Sequence, residues 1–280
     1  MPAIGQKEQD LPQRAEIRTM RTTWIVQTNV EPGSTSPAAL RRACSTEQRP
    51  FHEVSVIAGS ATLPELPRID GPVVLHGRTT LILRAFEHPR WRHGVFFDPA
   101  RFQHRSYVAA YGDQMLNADA QVMSWERLLA EPRAPNELVF LKPNDDLKRF
   151  TGQVLRFSEC VALFQTLRGA ARPVEPTSEV VLGEPREIDG EWRLFVVDGE
   201  VVTGSMYRPS GDSHLPRELI DFAERAASRW APASVFVLDV ARVDGAWKIV
   251  ECNCFNGSRF YSADVERVVR TVSEHQERAT

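Results

Sequence analysis

Residues 237–258 read VLDVARVDGAWKIVECNCFNGS, two apolar strands that each carry an acid where acids are costly. Asp239 stands inside Val-Leu-Asp-Val, and Glu251 follows Lys-Ile-Val just before Cys-Asn-Cys. A carboxylate buried without a partner costs several kcal/mol or takes up a proton. The stretch therefore calls for positive partners, and finding them decides how the rest of the chain is read.

Strand geometry decides whether the acids act together. Side chains alternate faces, so Glu251 and Asn253 share one. A two-residue loop at Asp244-Gly245 would pair Val243 with Ala246 and send Asp239 to the opposite face. A three-residue loop, Val243-Asp244-Gly245, would pair Arg242 with Ala246 and put all three groups on one face. The three-residue loop is expected, because the shorter one leaves two separate buried acids. Three oxygen donors on one face suit a hard divalent cation, Mg²⁺ in particular. Edge acids in solvent or in salt bridges are the plain alternative.

Basic residues occupy matching places. FLKPNDDLKRFTGQV (140–154) sets Lys142 at the end of an apolar strand and Lys148 in the following loop, where point charges can meet phosphate. No G-x-x-x-x-G-K-[ST] loop is present. EWRLFVVDGEVVTGSMYR (191–208) reads as a hairpin turning at Asp198-Gly199. Pairing Val197 with Glu200 sets Arg193 opposite Gly204 and on the face of Arg208, roughly 13 Å apart along the strand. Two arginines on one sheet face imply an anion unless Glu191 and Glu200 neutralise them.

The remaining chain frames this region. TTWIVQTNV, FHEVSVIAG and GPVVLH read as strands, SPAALRRACSTE and TTLILRAFEH as helices, an alternation that predicts a small parallel α/β lobe. HPRWRHGVFFDPARF (88–102) is a Pro/Gly-punctuated connection. Beyond it, RSYVAAYGDQMLN, MSWERLLAE and FSECVALFQTLRGA read as helices, and NELVFLK and SEVVLG as strands. LPRELIDFAERAASRW reads as a helix between the last two hairpins. The predicted organisation is a polar, disordered tail over 1–19, an α/β lobe over 20–100, and a second domain over 101–280 with central (101–180) and C-terminal (181–280) parts.

With 280 residues and a formal net charge of −3, the chain shows no general pull toward nucleic acid or an anionic membrane. No apolar run approaches the ~20 residues needed to cross a bilayer, and no apolar signal-peptide core opens the chain. Four scattered cysteines fit a reduced cytoplasm. Cys252-x-Cys254 admits zinc, but no second soft pair accompanies it; two packed small residues are the simpler reading.

A lysine strand, the apolar strand EVVLG, an arginine hairpin, then Asp followed by Glu-x-Asn together resemble the ATP-grasp superfamily. More narrowly, KPNDDLKRFTG, EWRLFVVDGEVVTGSMYR and VFVLDVARVDGAWKIVECNCFN are similar to the clade named for two arginines and one lysine. The close resemblance covers about residues 138–265. It implies an α/β (α+β) ATP-grasp fold behind a pre-ATP-grasp-like lobe. It also implies an ATP- and Mg²⁺-dependent ligase that joins a small-molecule or peptide carboxylate to an amine or thiol through an acylphosphate. The resemblance assigns Lys142 and Lys148 to the ATP phosphates and Arg193 and Arg208 to phosphate and the carboxylate substrate. It gives Asp239, Glu251 and Asn253 to Mg²⁺, and the backbone of 180–183, centred on Val181 and Leu182, to adenine.

On this reading Mg²⁺-ATP compensates the acids when bound, and the empty protein holds two repelling carboxylates. Glu251→Gln is then expected to leave the apo fold intact or slightly firmer, and Lys148→Ala and Arg193→Ala to spare it. The alternative is a nucleotide-binding regulatory or interaction module without turnover. A hydrolase with paired acids leaves the lysines and arginines unexplained.

Overall fold

Two strands of the N-terminal segment, Thr23–Gln27 and Val73–His76, are buried along their whole length, and with the more exposed Phe51–Val54 they form a three-stranded parallel sheet. The computed structural model describes residues 20–57, 60, 62–170, 173–209 and 212–279. The tail read over 1–19 lies outside these residues. In the first sheet, β1 (Thr23–Gln27) lies between β2 (Phe51–Val54) and β3 (Val73–His76). Between β1 and β2 runs α1 (Ser36–Thr46), with Pro37 in its first turn, where a missing N–H costs no helical bond. After β3 comes α2 (Thr79–Glu87), which buries Leu81, Ile82 and Ala85.

The central segment builds a second sheet, antiparallel, in the order β4 (Gln121–Ser124), β7 (Glu179–Gly183), β5 (Leu138–Pro143), β6 (Gln153–Arg156). Helices α3 (His104–Tyr111), α4 (Trp125–Ala130) and α5 (Cys160–Arg168) belong to the same segment. The single helix expected from MSWERLLAE is divided: Met123 and Ser124 finish β4, and the Ser124 hydroxyl caps α4 by accepting from the Arg127 amide at 3.3 Å. Trp125, Leu128, Phe164 and Val180 form a core that belongs to this segment.

The third sheet runs β11 (Ala246–Cys254), β10 (Val235–Val243), β8 (Gly190–Val197), β9 (Glu200–Arg208), with α6 (Arg217–Arg229) between the hairpins and α7 (Val265–Ala279) after them. One core joins Ile25 and Leu75 of the first sheet to Leu194, Leu238 and Cys252 of the third. Another brings Val268, Val269 and Val272 of α7 onto Trp24 and Leu40.

Asn256, fully buried just past β11, fastens the same junction with hydrogen bonds to two chain segments, 75–77 and 94–96. Its side-chain oxygen accepts from the Phe96 amide at 2.7 Å. Its side-chain nitrogen donates to the Gly94 carbonyl at 3.0 Å and to that of Leu75, and its own carbonyl accepts from Gly77 at 2.8 Å.

Both hairpins depart from their expected registers. Val243 pairs with Ala246, so the turn at Asp244-Gly245 has two residues, not three. Both take positive φ, 49° and 76°, as a type I′ turn requires. A bulge then reverses the strand parity: Asp239 pairs with Glu251 but Val240 with Ile249, leaving Val250 unpaired. Asp239, Glu251 and Asn253 consequently share a face, by a bulge instead of an odd loop. In the β8–β9 hairpin two bulges place Arg193 opposite Ser205, not Gly204, and Arg208 opposite Glu191. Arg208 therefore sits two positions from the Arg193 level, roughly 7 Å along the strand and not 13 Å.

Candidate active site

The alternation of β11 sorts its side chains. Cys252 and Cys254 turn into the core as free thiols, while Glu251 and Asn253 face a cleft of about 1230 Å³. Burial pushes both thiols above their usual range, so neither is a ready metal ligand. Among the described residues no three His, Cys, Asp or Glu side chains converge as a metal centre, and the candidate donor set is two carboxylates and one amide.

The positive partners sought by the opening stretch are the protein's own. Arg193, on β8 beside β10, donates from Nε to Asp239 Oδ1 at 2.9 Å and from Nη2 to Oδ2 at 2.7 Å. Their side chains are 11% and 2% exposed. Asn253 Nδ2 also donates to Asp239 Oδ2 at 3.0 Å. Lys142, at the end of β5, is buried and lies 3.4 Å from Glu251 Oε2. It also donates to the Val250 carbonyl at 3.4 Å. Val250 is the unpaired bulge residue, so one irregularity both aligns the donors and offers the lysine an acceptor. Lys148 reaches the Asn253 side-chain oxygen, with Glu251 Oε1 at 4.0 Å.

Asp146, absent from the sequence reading, connects two parts of the site. One oxygen meets Lys148 at 2.6 Å, and the other accepts from the Cys254 amide at 2.7 Å. Burial raises its carboxyl pKa against the pull of Lys148. Burial would lower the Lys148 ammonium, but Asp146 and Glu251 override it, and the pKa rises. Its only sequence signal was an acid two residues before a lysine.

Two further groups complete the cleft wall. Glu191 accepts from the Tyr207 hydroxyl, and burial pushes its carboxyl up to about 7. Arg208 is exposed, 3.8 Å from Glu191. Val181 and Leu182 stand apart from the cluster. Both are buried in β7, an inner strand paired with β4 and β5, and neither lines the cleft. The lining on that side comes from Glu184, Arg186 and Ile188, just beyond β7.

These charges reverse one expectation. Burial alone would raise the Glu251 carboxyl, but Lys148, Lys142 and Arg193 outweigh it and hold the group at about 2. A carboxyl depressed on folding adds stability above its unfolded pKa, and that stability is lost as pH falls from about 4.5 toward 2. Glu251→Gln, which strands the buried Lys142 charge, is therefore expected to destabilise the apo fold by about 1–2 kcal/mol at pH 7. Urea denaturation at pH 7 and pH 3 checks this: the gap between wild type and variant should narrow at the lower pH. An apo variant as stable as wild type at pH 7 would restore the repulsion account.

Among the described residues no helix is long and apolar enough to cross a membrane. Comparison with known proteins agrees with the geometry. Over 91% of this chain and 99% of its own, the D-cycloserine synthetase DcsG superimposes with a TM-score of 0.59 at 17% identity. The D-alanine–D-alanine ligase of Bacillus anthracis, solved with ATP, gives 0.60 at 13% identity over 93% and 98%. The ATP-grasp ligase PsnB, bound to a minimal precursor, gives 0.54 at 13% identity over 91% and 100%. At such identities these likenesses concern the fold.

A curated relative, the polyketide synthase ThaG of Burkholderia thailandensis, is 44% identical over 69 residues. That match spans 24% of this chain and 1% of ThaG. Residues 75–272 match the ATP-grasp domain of family 3 in the clade named for two arginines and one lysine, and the chain belongs to that family.

Proposed function

We propose that the chain is an ATP- and Mg²⁺-dependent ligase that joins a carboxylate to an amine or thiol through an acylphosphate. The observation that carries this reading is the interleaving of three oxygen donors with three cations on one cleft wall. The donors fit Mg²⁺ by type, since Asp239, Glu251 and Asn253 offer only hard oxygens and Mg²⁺ takes few carboxylates plus substrate phosphates. Held there, Mg²⁺ would supply Lewis-acid stabilisation of phosphoryl charge.

The chain's own residues divide the remaining work. Lys142 and Lys148 stand beside the donors, placed to exchange carboxylate partners for the nucleotide phosphates. Arg193 fixes the Asp239 carboxylate with both arms of its guanidinium, and Arg208 remains available for the substrate carboxylate. Phe140, Val154 and Ile188 give adenine an apolar wall, with Val181 and Leu182 packed behind as strand interior. No nucleophilic side chain is needed, since charge stabilisation and positioning carry phosphoryl transfer. We read the 20–100 segment as the pre-ATP-grasp lobe and place the protein in the cytoplasm, where free buried thiols stay reduced.

Lys148→Ala is expected to weaken Mg²⁺-ATP binding roughly 10- to 150-fold, the loss of one charge-assisted contact of ~1.5–3 kcal/mol. Calorimetric titration measures it, and unchanged affinity would remove Lys148 from the phosphate site. The function itself is tested by screening amino acids and short peptides for ADP and phosphate release. Release that requires both a carboxylate and an amine or thiol supports the ligase. Nucleotide binding without turnover across the screen points to a binding module.

A further inference from the structure

The charges that line the cleft are almost completely paired. Eight cationic and seven acidic side chains face it. Seven of those cations lie within 4.0 Å of a carboxylate, from Arg78 on Glu31 at the rim to Arg193 on Asp239 at the floor. Arg259 is the exception. It lines the cleft, is exposed, and among the described residues has no ion pair, hydrogen bond or ring contact.

Its position is built and not incidental. Two residues on, Tyr261 takes a φ of 50°, a conformation that bulky residues seldom adopt. The Tyr261 ring stacks on that of Tyr207, with centroids 5.0 Å apart and planes within 6°. Both rings contact the Arg193 guanidinium, at 5.2 and 5.5 Å. The stack ties the segment after β11 to the end of β9, next to Arg208 and directly over the Arg193–Asp239 pair. Arg259 thus stands two residues before this anchor, on a cleft that Arg193 and Arg208 also line.

We propose that Arg259 joins Arg208 in binding the carboxylate of a small acyl-donor substrate, an inference that rests on the ligase reading above. Mg²⁺-ATP gives the lysines and donors new partners but leaves Arg259 free, so its fork is open to a carboxylate oxygen pair. In the reaction the held carboxylate forms an O–P bond to the γ-phosphorus. The bond to the β-phosphate oxygen breaks, and its electrons leave with ADP. A nitrogen nucleophile then forms the C–N bond as the acyl C–O bond breaks, and phosphate departs with that electron pair and a proton from the nitrogen.

Hydroxylamine can replace the natural amine and convert any acylphosphate formed into a coloured hydroxamate. Wild type and Arg259→Ala would be assayed with ATP, Mg²⁺, hydroxylamine and a panel of short mono- and dicarboxylates and both enantiomers of the amino acids. Mg²⁺-AMPPNP affinity would be measured in parallel. At least one panel acid should give hydroxamate with wild type. In Arg259→Ala its KM should rise about 10-fold or more, kcat should change far less, and nucleotide affinity should hold within about 2-fold. Arg259→Lys, which keeps the charge but not the fork, should recover part of the KM. An unchanged KM in Arg259→Ala would overturn the assignment, as would a wild type that binds Mg²⁺-AMPPNP yet activates no panel acid. Failure of wild type to bind Mg²⁺-AMPPNP would overturn the ligase reading as well.

Discussion

Arg193→Ala is expected to lower the stability of the ligand-free protein by about 3–5 kcal/mol, although sequence alone suggests a dispensable phosphate contact. Both oxygens of Asp239 accept from the Arg193 guanidinium, and the carboxylate is almost fully buried in the middle of β10. Removing the arginine leaves that charge with the Asn253 amide as its remaining side-chain donor. It also removes the cation beneath the Tyr207–Tyr261 stack. In urea, the midpoint should fall with little change in slope. Adding Asp239→Asn to Arg193→Ala should recover much of the loss, because the penalty is mainly that of a stranded charge. A loss under about 1 kcal/mol, or no recovery in the double variant, would show that the pair is not what holds Asp239.

Asn256→Ala should be comparably damaging, at about 2–4 kcal/mol, without touching the cleft chemistry. Its side chain answers the Phe96 amide and the carbonyls of Leu75 and Gly94, all in segments far away in sequence. Truncation leaves those buried groups without a partner, each costing ~1–3 kcal/mol in part offset by relaxation. Asn256→Asp should be no better, because a carboxylate cannot donate to the two carbonyls and would be buried without a cation. Chemical denaturation of both variants checks this, and a stable Asn256→Asp would contradict the donor assignment.

Much of this arrangement was legible in the sequence, for reasons that differ by residue. The acids of β10 and β11 were conspicuous because they interrupt apolar runs, and the basic partners because Lys142 closes an apolar strand, Lys148 follows it in the loop and Arg193 interrupts an apolar hairpin strand. The parallel sheet followed from the alternation of strand and helix segments. The bulges were not legible: nothing in Lys-Ile-Val-Glu distinguishes an unpaired Val250 from a paired one. The right face was therefore expected for a wrong reason, an odd loop that Asp244 and Gly245 replace with a two-residue turn.

Val265, Val268, Val269 and Val272 carry a plain helical spacing, so α7 could have been read and was not. β6 could not, because Leu155 is its one buried residue. Pairings such as Asp146 with Lys148 and the Cys254 amide depend on loop geometry. Asp239 with Arg193 depends on which strands become neighbours. Those contacts explain how the empty protein tolerates its acids, a role that the family resemblance gives to Mg²⁺-ATP.

The central claim is that this cleft binds nucleotide and divalent metal together through Asp239, Glu251 and Asn253. Calorimetric titration of AMPPNP into the full chain, with Mg²⁺ and with EDTA, tests it most directly when run in parallel on Asn253→Ala. The account predicts clear binding by wild type with Mg²⁺, at least about 10-fold weaker binding without it, and a much smaller Mg²⁺ effect in Asn253→Ala. Equal affinity with and without Mg²⁺ in wild type, or no AMPPNP binding at all, would contradict it.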